Sequence, residues 1–176
     1  MRAMSAASFE ARSQAVIEAM EAIDPEFVLH LPSSTLKLVL AHVLDSADRR
    51  CVFPVPREEE GISILAGLAL AERRALMIFQ DNGIGTLLTA LLTFPQPYHL
   101  PLFGIVTRRG GLGEYNSMIH TISERTEALL DAALVRYFQL DARTPIEDWA
   151  PTIQRGYELA QTTHRPVFVL VNLMGG

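Results

Sequence analysis

The amino-acid sequence predicts an α/β protein: a three-layer sandwich with a mainly parallel six-stranded sheet and helices on both faces. Two observations carry this expectation. Short apolar stretches that read as continuous runs rather than alternations are separated by segments of helical length, the pattern of strands covered on both faces. The 176 residues, 49% hydrophobic and 20% charged, are enough to bury a sizeable core and suit a single domain over residues 1–176.

The elements follow in chain order. Val16, Ile17, Met20 and Ile23 recur at helical spacing until Asp24-Pro25 breaks the pattern, and the run FVLHL then reads as the first strand. After Pro32-Ser33-Ser34, with either serine a suitable N-cap, TLKLVLAHVL has helical length. CVFPV is the second strand. REEEGISILAGLALAERR, from Arg57 to Arg74, opens with acids and closes with bases, the order that complements a helix dipole; it is apolar on nearly every face, so a buried helix is expected. ALMIFQ is a strand, DNGIG a glycine turn, and TLLTALLTF a helix that stops at Pro95. PLFGIV is the fourth strand. TRRGGLGEYNSM is polar and glycine-rich, a loop long enough to be functional. A helix near Ser123 to Leu134, the strand VRYFQL, a helix over Ile146 to Gln161 and the strand PVFVLVNL complete the chain.

Several function classes are disfavoured. The formal net charge is −5 with both signs interspersed, and no basic or aromatic-basic stripe suits nucleic acid. The first twenty residues carry acids among their apolar positions and lack a signal-peptide core, and no stretch approaches the roughly 18 apolar residues of a membrane span. The lone Cys51, inside an apolar run, is expected to be a buried and inert thiol. These features suggest a soluble cytoplasmic protein. The five histidines show no HxxxH or HExxH spacing and no GxSxG elbow is present, so neither a metal site nor a serine hydrolase is indicated.

In open α/β sheets, ligands bind beyond the carboxyl ends of the strands. Four clusters stand there: Leu31 to Ser34, Pro56 to Gly61, Gln80 to Gly85 and Thr107 to Glu114. DNGIG lacks both the third glycine of a dinucleotide fingerprint and the Lys-Ser/Thr of a P-loop. Among Glu58, Glu59 and Glu60, which also suit a first helical turn, at least one should face inward, where desolvation raises its pKa toward neutrality. His30, ending the first strand, and His120, after the polar loop, are placed to meet a substrate.

The motifs REEEGISILAGLALA, FQDNGIGTLLTALLTF and LPLFGIVTRRG, in this order, resemble the pyrimidine-binding domain of thiamine-diphosphate enzymes, above all the alpha subunits of the sulfopyruvate and phosphonopyruvate decarboxylase family. The resemblance extends more loosely from the LPSS loop to the end of the chain. It implies a 2-oxo-acid decarboxylase in which a glutamate opening the second βα helix hydrogen-bonds N1′ of the cofactor's aminopyrimidine and promotes loss of the thiazolium C2 proton. The family pattern sets this glutamate nine positions before a glycine, which from Gly67 reaches Glu58, with Glu59 as the fallback. By the same resemblance Pro32 and Ser33 lie near the pyrimidine, and Gln80, Asp81, Asn82 and Gly83 line the cofactor pocket, although related sequences often read QNSGLGN where this one reads QDNGIGT. Arg57, Arg108 and Arg109 are candidates for an anionic substrate tail such as a sulfonate or phosphonate. The family holds the diphosphate through Mg2+ on a GDG motif, which is absent from this sequence. A beta subunit carrying that motif is the implied partner, with the cofactor at the interface. Two other readings stay open: a different thiamine-dependent carboligase or transketolase-like half subunit, and a non-catalytic α/β assembly module.

Overall fold

In the computed structural model of the protein, residues 6–174 are described, apart from 112, 113 and 115. Helix α1 (Ala6–Ile23) leads into strand β1 (Phe27–His30). A 3-10 turn (Ser34–Leu36) runs into helix α2 (Lys37–Asp45), followed by β2 (Cys51–Pro54), α3 (Glu58–Leu70) and β3 (Ala75–Gln80). A 3-10 helix over Asp81–Thr86 then precedes α4 (Leu87–Thr93), β4 (Phe103–Thr107), α5 (Ser117–Ser123) and α6 (Thr126–Ala132). The last elements are β5 (Arg136–Leu140), α7 (Trp149–Thr163, entered by a 3-10 turn at Ile146–Asp148) and β6 (Val167–Val171).

The six strands form one sheet in the order β2-β1-β3-β4-β6-β5, and every neighbouring pair is parallel. Parallel strands need crossover connections, and the helices supplying them cover both faces. Val28, Leu76, Ile78, Phe103, Ile105 and Val169 point to one face, where α1, α2 and α7 contribute Val16, Met20, Val39 and Ile153. Leu29, Met77, Phe79, Val106, Phe168 and Leu170 point to the other, against Ile62 and Leu65 of α3, Leu87 and Leu91 of α4 and Leu130 of α6. The central strands β3, β4 and β6 are buried almost throughout, which is why they read as unbroken apolar runs.

Four expectations need revision. Cys51 is exposed, because β2 is an edge strand with β1 as its one neighbour. The glycine turn is a full 3-10 helix of six residues. The helix expected near Ser123 to Leu134 is two short helices, with the first beginning at Ser117, inside the segment read as loop. Helix α3 buries only the face bearing Gly61, Ile62, Leu65 and Ala66; Ile64 and Leu70 stand exposed on this chain. No helix among the described residues is long and apolar enough to cross a membrane.

Candidate functional site

The connections after β1 and β3 leave in opposite senses: α2 covers one face of the sheet and α4 the other. Between two such neighbouring strands the carboxyl ends part and leave a crevice. There an open cleft of about 630 Å3 is lined by Leu31 and Pro32 after β1, Pro54, Val55 and Pro56 at the end of β2, Glu58 on α3, and Gln80 and Asn82 at the end of β3. Its walls are mostly apolar, and among the described residues it holds one ionisable group, Glu58.

The three acids that open α3 separate by direction, since successive residues of a helix turn by about 100°. Glu60 is exposed. Glu59 is drawn outward to Arg57, whose Nε donates to its Oε1; with its own first-turn amide and Thr86, that guanidinium holds the Glu59 carboxyl down at about 2. Glu58 turns into the cleft, half-buried, and none of the ion pairs among the described residues includes it. Burial pushes its carboxyl above the usual carboxylate range, against the helix's own amide and helped by the neighbouring Glu59 charge.

Gly83 makes this position possible. A Cβ at residue 83 would lie 2.1 Å from Cδ and 2.2 Å from Oε1 of Glu58, so the carboxyl occupies the space that any other residue would fill. The Asp81–Thr86 turn thus forms a floor beneath the Glu58 carboxyl. The turn is braced by Thr86, whose hydroxyl donates to the Gly83 carbonyl at 2.9 Å.

The cleft wall is held from behind. Ser33, which caps the turn before α2, donates to Oε1 of Gln80 at 2.8 Å, and Arg109 donates to the same oxygen at 3.2 Å. Asp81 is fully buried and faces away from the cleft. Its Oδ2 accepts from the Arg109 amide at 2.9 Å and from Arg108 at 3.1 Å, tying the turn to the end of β4.

Comparison with characterised proteins bears on this arrangement. The chain is 31% identical over 162 residues to the sulfopyruvate decarboxylase subunit alpha of Methanococcus maripaludis, an alignment spanning 92% of this chain and 95% of the relative. The chain belongs to the sulfopyruvate decarboxylase alpha-subunit family. A second family member, from Methanothermobacter thermautotrophicus, is 29% identical over 133 residues, 76% of this chain and 77% of its own. Among solved structures, a 2-oxoglutarate:ferredoxin oxidoreductase from Magnetococcus marinus superposes on 93% of this chain with a TM-score of 0.71 at 14% identity. The chain corresponds to 29% of that protein, and the likeness is one of fold. No protein-family model matches.

In this family member, then, Pro32, Glu58, Gln80 and Asn82 come together in one cleft, Gly83 lies beneath it and Ser33 behind it. The other candidates are placed differently. Arg109 is engaged by Glu114 at 2.7 and 2.8 Å, a pair whose two side chains are both nearly buried, and this guanidinium holds the Glu114 carboxyl at about 2. Arg108 bonds Asp81 and both oxygens of Glu127. These two arginines border a second, smaller cleft beyond β4, β5 and β6, and neither lines the first. Arg57 is largely exposed beside Glu59. His120 reaches the Glu114 carbonyl at 3.0 Å from α5. His30 is 6% exposed, neither ring nitrogen has a partner among the described residues, and burial pushes its pKa down; it does not line the cleft.

Sequence reasoning placed Pro56 and Glu114 in its strand-end clusters without giving either a role, and missed Glu127, which engages Arg108, and Pro54 and Val55 of the cleft wall. The prolines were visible as punctuation at the end of a strand. The Arg108–Glu127 pair had no local signal, since the two residues lie on separate elements.

Proposed function

We propose that this chain is the alpha subunit of a thiamine-diphosphate-dependent 2-oxo-acid decarboxylase, acting on sulfopyruvate or a close analogue such as phosphonopyruvate. In this reading residues 1–176 serve as one pyrimidine-binding domain, and a beta subunit with a GDG motif holds the diphosphate through Mg2+. The observation that carries it is Glu58: a half-buried carboxyl with raised proton affinity, seated over Gly83 in a largely apolar cleft at the switch point of the sheet.

These residues fit an aminopyrimidine. Such a ring has flat apolar faces and a polar edge, and the cleft offers Leu31, Pro32, Val55 and Pro56 beside one protonatable oxygen pair. When bound, thiamine diphosphate would supply the nucleophilic carbon and the electron sink for loss of carbon dioxide from a 2-oxo acid. Glu58 would hold a proton at its carboxyl and share it with a ring nitrogen. Burial favours the protonated form of this carboxyl more than water would, which suits a group that shares a proton with its partner. Gly83 would fix the carboxyl's position, and Pro32 and Asn82 would wall the ring.

The test is reconstitution. The chain mixed with its beta subunit, thiamine diphosphate and Mg2+ should release carbon dioxide from sulfopyruvate and form the aldehyde, and Glu58→Gln should lower the rate by about 10²-fold or more. A complex that converts no 2-oxo acid to aldehyde, or a fully active Glu58→Gln complex, would refute the proposal.

A further inference from the structure

The wall of the cleft contains a side chain whose two ends are unequal. Arginine only donates, so the Gln80 atom 3.2 Å from the Arg109 guanidinium must be the carboxamide oxygen, which fixes the orientation of the amide. The same oxygen accepts from Ser33 at 2.8 Å. Among the described residues the amide nitrogen has no hydrogen-bond partner, and Gln80 lines the cleft. What Gln80 presents there is a pair of N–H donors on a neutral group, held by two contacts on its far side.

The charges around it are arranged in a complementary way. Arg109 is turned to Glu114, and Arg108 to Asp81 and Glu127. Among the described residues no cation lines the cleft. A carboxylate that leaves as carbon dioxide loses its charge in the transition state. A cation against it would stabilise the ground state more than the transition state and slow the reaction, whereas a neutral donor binds the acid with less of that penalty.

We infer that the Gln80 carboxamide is this subunit's binding group for the carboxylate of the 2-oxo acid, and that Ser33 and Arg109 are positioning residues that aim it. The inference rests on the decarboxylase reading and assigns the substrate contact within it.

Gln80→Glu tests this directly. The variant keeps an oxygen for Ser33 and Arg109 to donate to and replaces the NH2 group with a second oxygen, so the support of the wall is retained. Calorimetric titration of the two-subunit complex would compare three probes: the unreactive 2-hydroxy analogue of sulfopyruvate, the sulfonated aldehyde product and thiamine diphosphate. The expected result is about tenfold or greater weakening for the hydroxy acid, with the other two changed by less than about twofold. The aldehyde retains the sulfonate but lacks the carboxylate, so it controls for the added negative charge. Unchanged binding of the hydroxy acid, equal weakening of the aldehyde or of thiamine diphosphate, or a wild-type complex that does not bind the acid would each overturn the assignment. A wild-type complex that binds the acid but releases no carbon dioxide sinks the decarboxylase reading and leaves the Gln80 contact standing.

Discussion

Replacing Gly83 with alanine adds one methyl group directly onto the Glu58 carboxyl. The new Cβ would stand 2.1 Å from Cδ, and restoring an ordinary contact of 3.4 Å requires the carboxyl to withdraw by the difference, about 1.3 Å. The backbone accepts the change, because Gly83 is not among the positive-φ glycines of this chain. Alanine also restricts the unfolded chain, a stabilising effect of about 0.4–1 kcal/mol, and the displaced carboxyl regains water. The variant should therefore fold with an unchanged or slightly raised melting temperature. Misplacement of a reacting group by about 1 Å costs on the order of 10²-fold in rate, so carbon dioxide release by the reconstituted complex should fall by that much. Because both substitutions act on one carboxyl, Gly83→Ala combined with Glu58→Gln should be no slower than Glu58→Gln alone. Steady-state assays of the four proteins, with melting curves as the control for folding, decide it. Full activity in Gly83→Ala, or multiplicative losses in the double variant, would refute the reasoning that Gly83 acts by seating Glu58.

Two further predictions concern pH. The Glu58 carboxyl binds its proton more tightly in the folded chain than in the unfolded one, so its contribution to stability is present at low pH and is lost as pH rises above about 4.5 through the raised folded value. Glu58→Gln should therefore be more stable than wild type to urea at pH 7.5, with the gap closing toward pH 4; a variant less stable at pH 7.5 would contradict the burial of this group. His30 behaves oppositely. Its lowered pKa means the unfolded chain takes up a proton first, so stability should decline as pH falls below about 6.5, and His30→Phe should lessen that slope. An unchanged slope in urea titrations between pH 7.5 and 5.5 would show that another group is responsible.

The parallel sheet was legible because strands such as VFVLV and ALMIFQ are buried on both faces and so lose the alternation that marks half-exposed strands. The edge position of β2 was not legible, since strand order is a tertiary property; CVFPV is as apolar as its neighbours, yet Cys51 is exposed. The order of motifs pointed to the cleft; the residues alone left three acids open and the family resemblance selected Glu58, while in the structure one carboxyl enters the cleft, one is drawn to Arg57 and one faces solvent. Arg108 and Arg109 illustrate the limit. Their position after a strand and before a glycine pair suggested free cations for an anionic tail, but their fate is decided by Asp81 and Glu127, which the fold brings to them from other elements, and by Glu114, five residues beyond Arg109 along the chain.

The central claim is that Glu58 is the proton-handling group of this subunit. Hydrogen–deuterium exchange at the thiazolium C2 of bound thiamine diphosphate, followed by NMR after acid quench, tests it without requiring turnover. The two-subunit complex with wild-type chain should exchange faster than the free cofactor, and Glu58→Gln should lower that rate by about 10²-fold or more. Equal exchange rates in the two complexes would contradict the account.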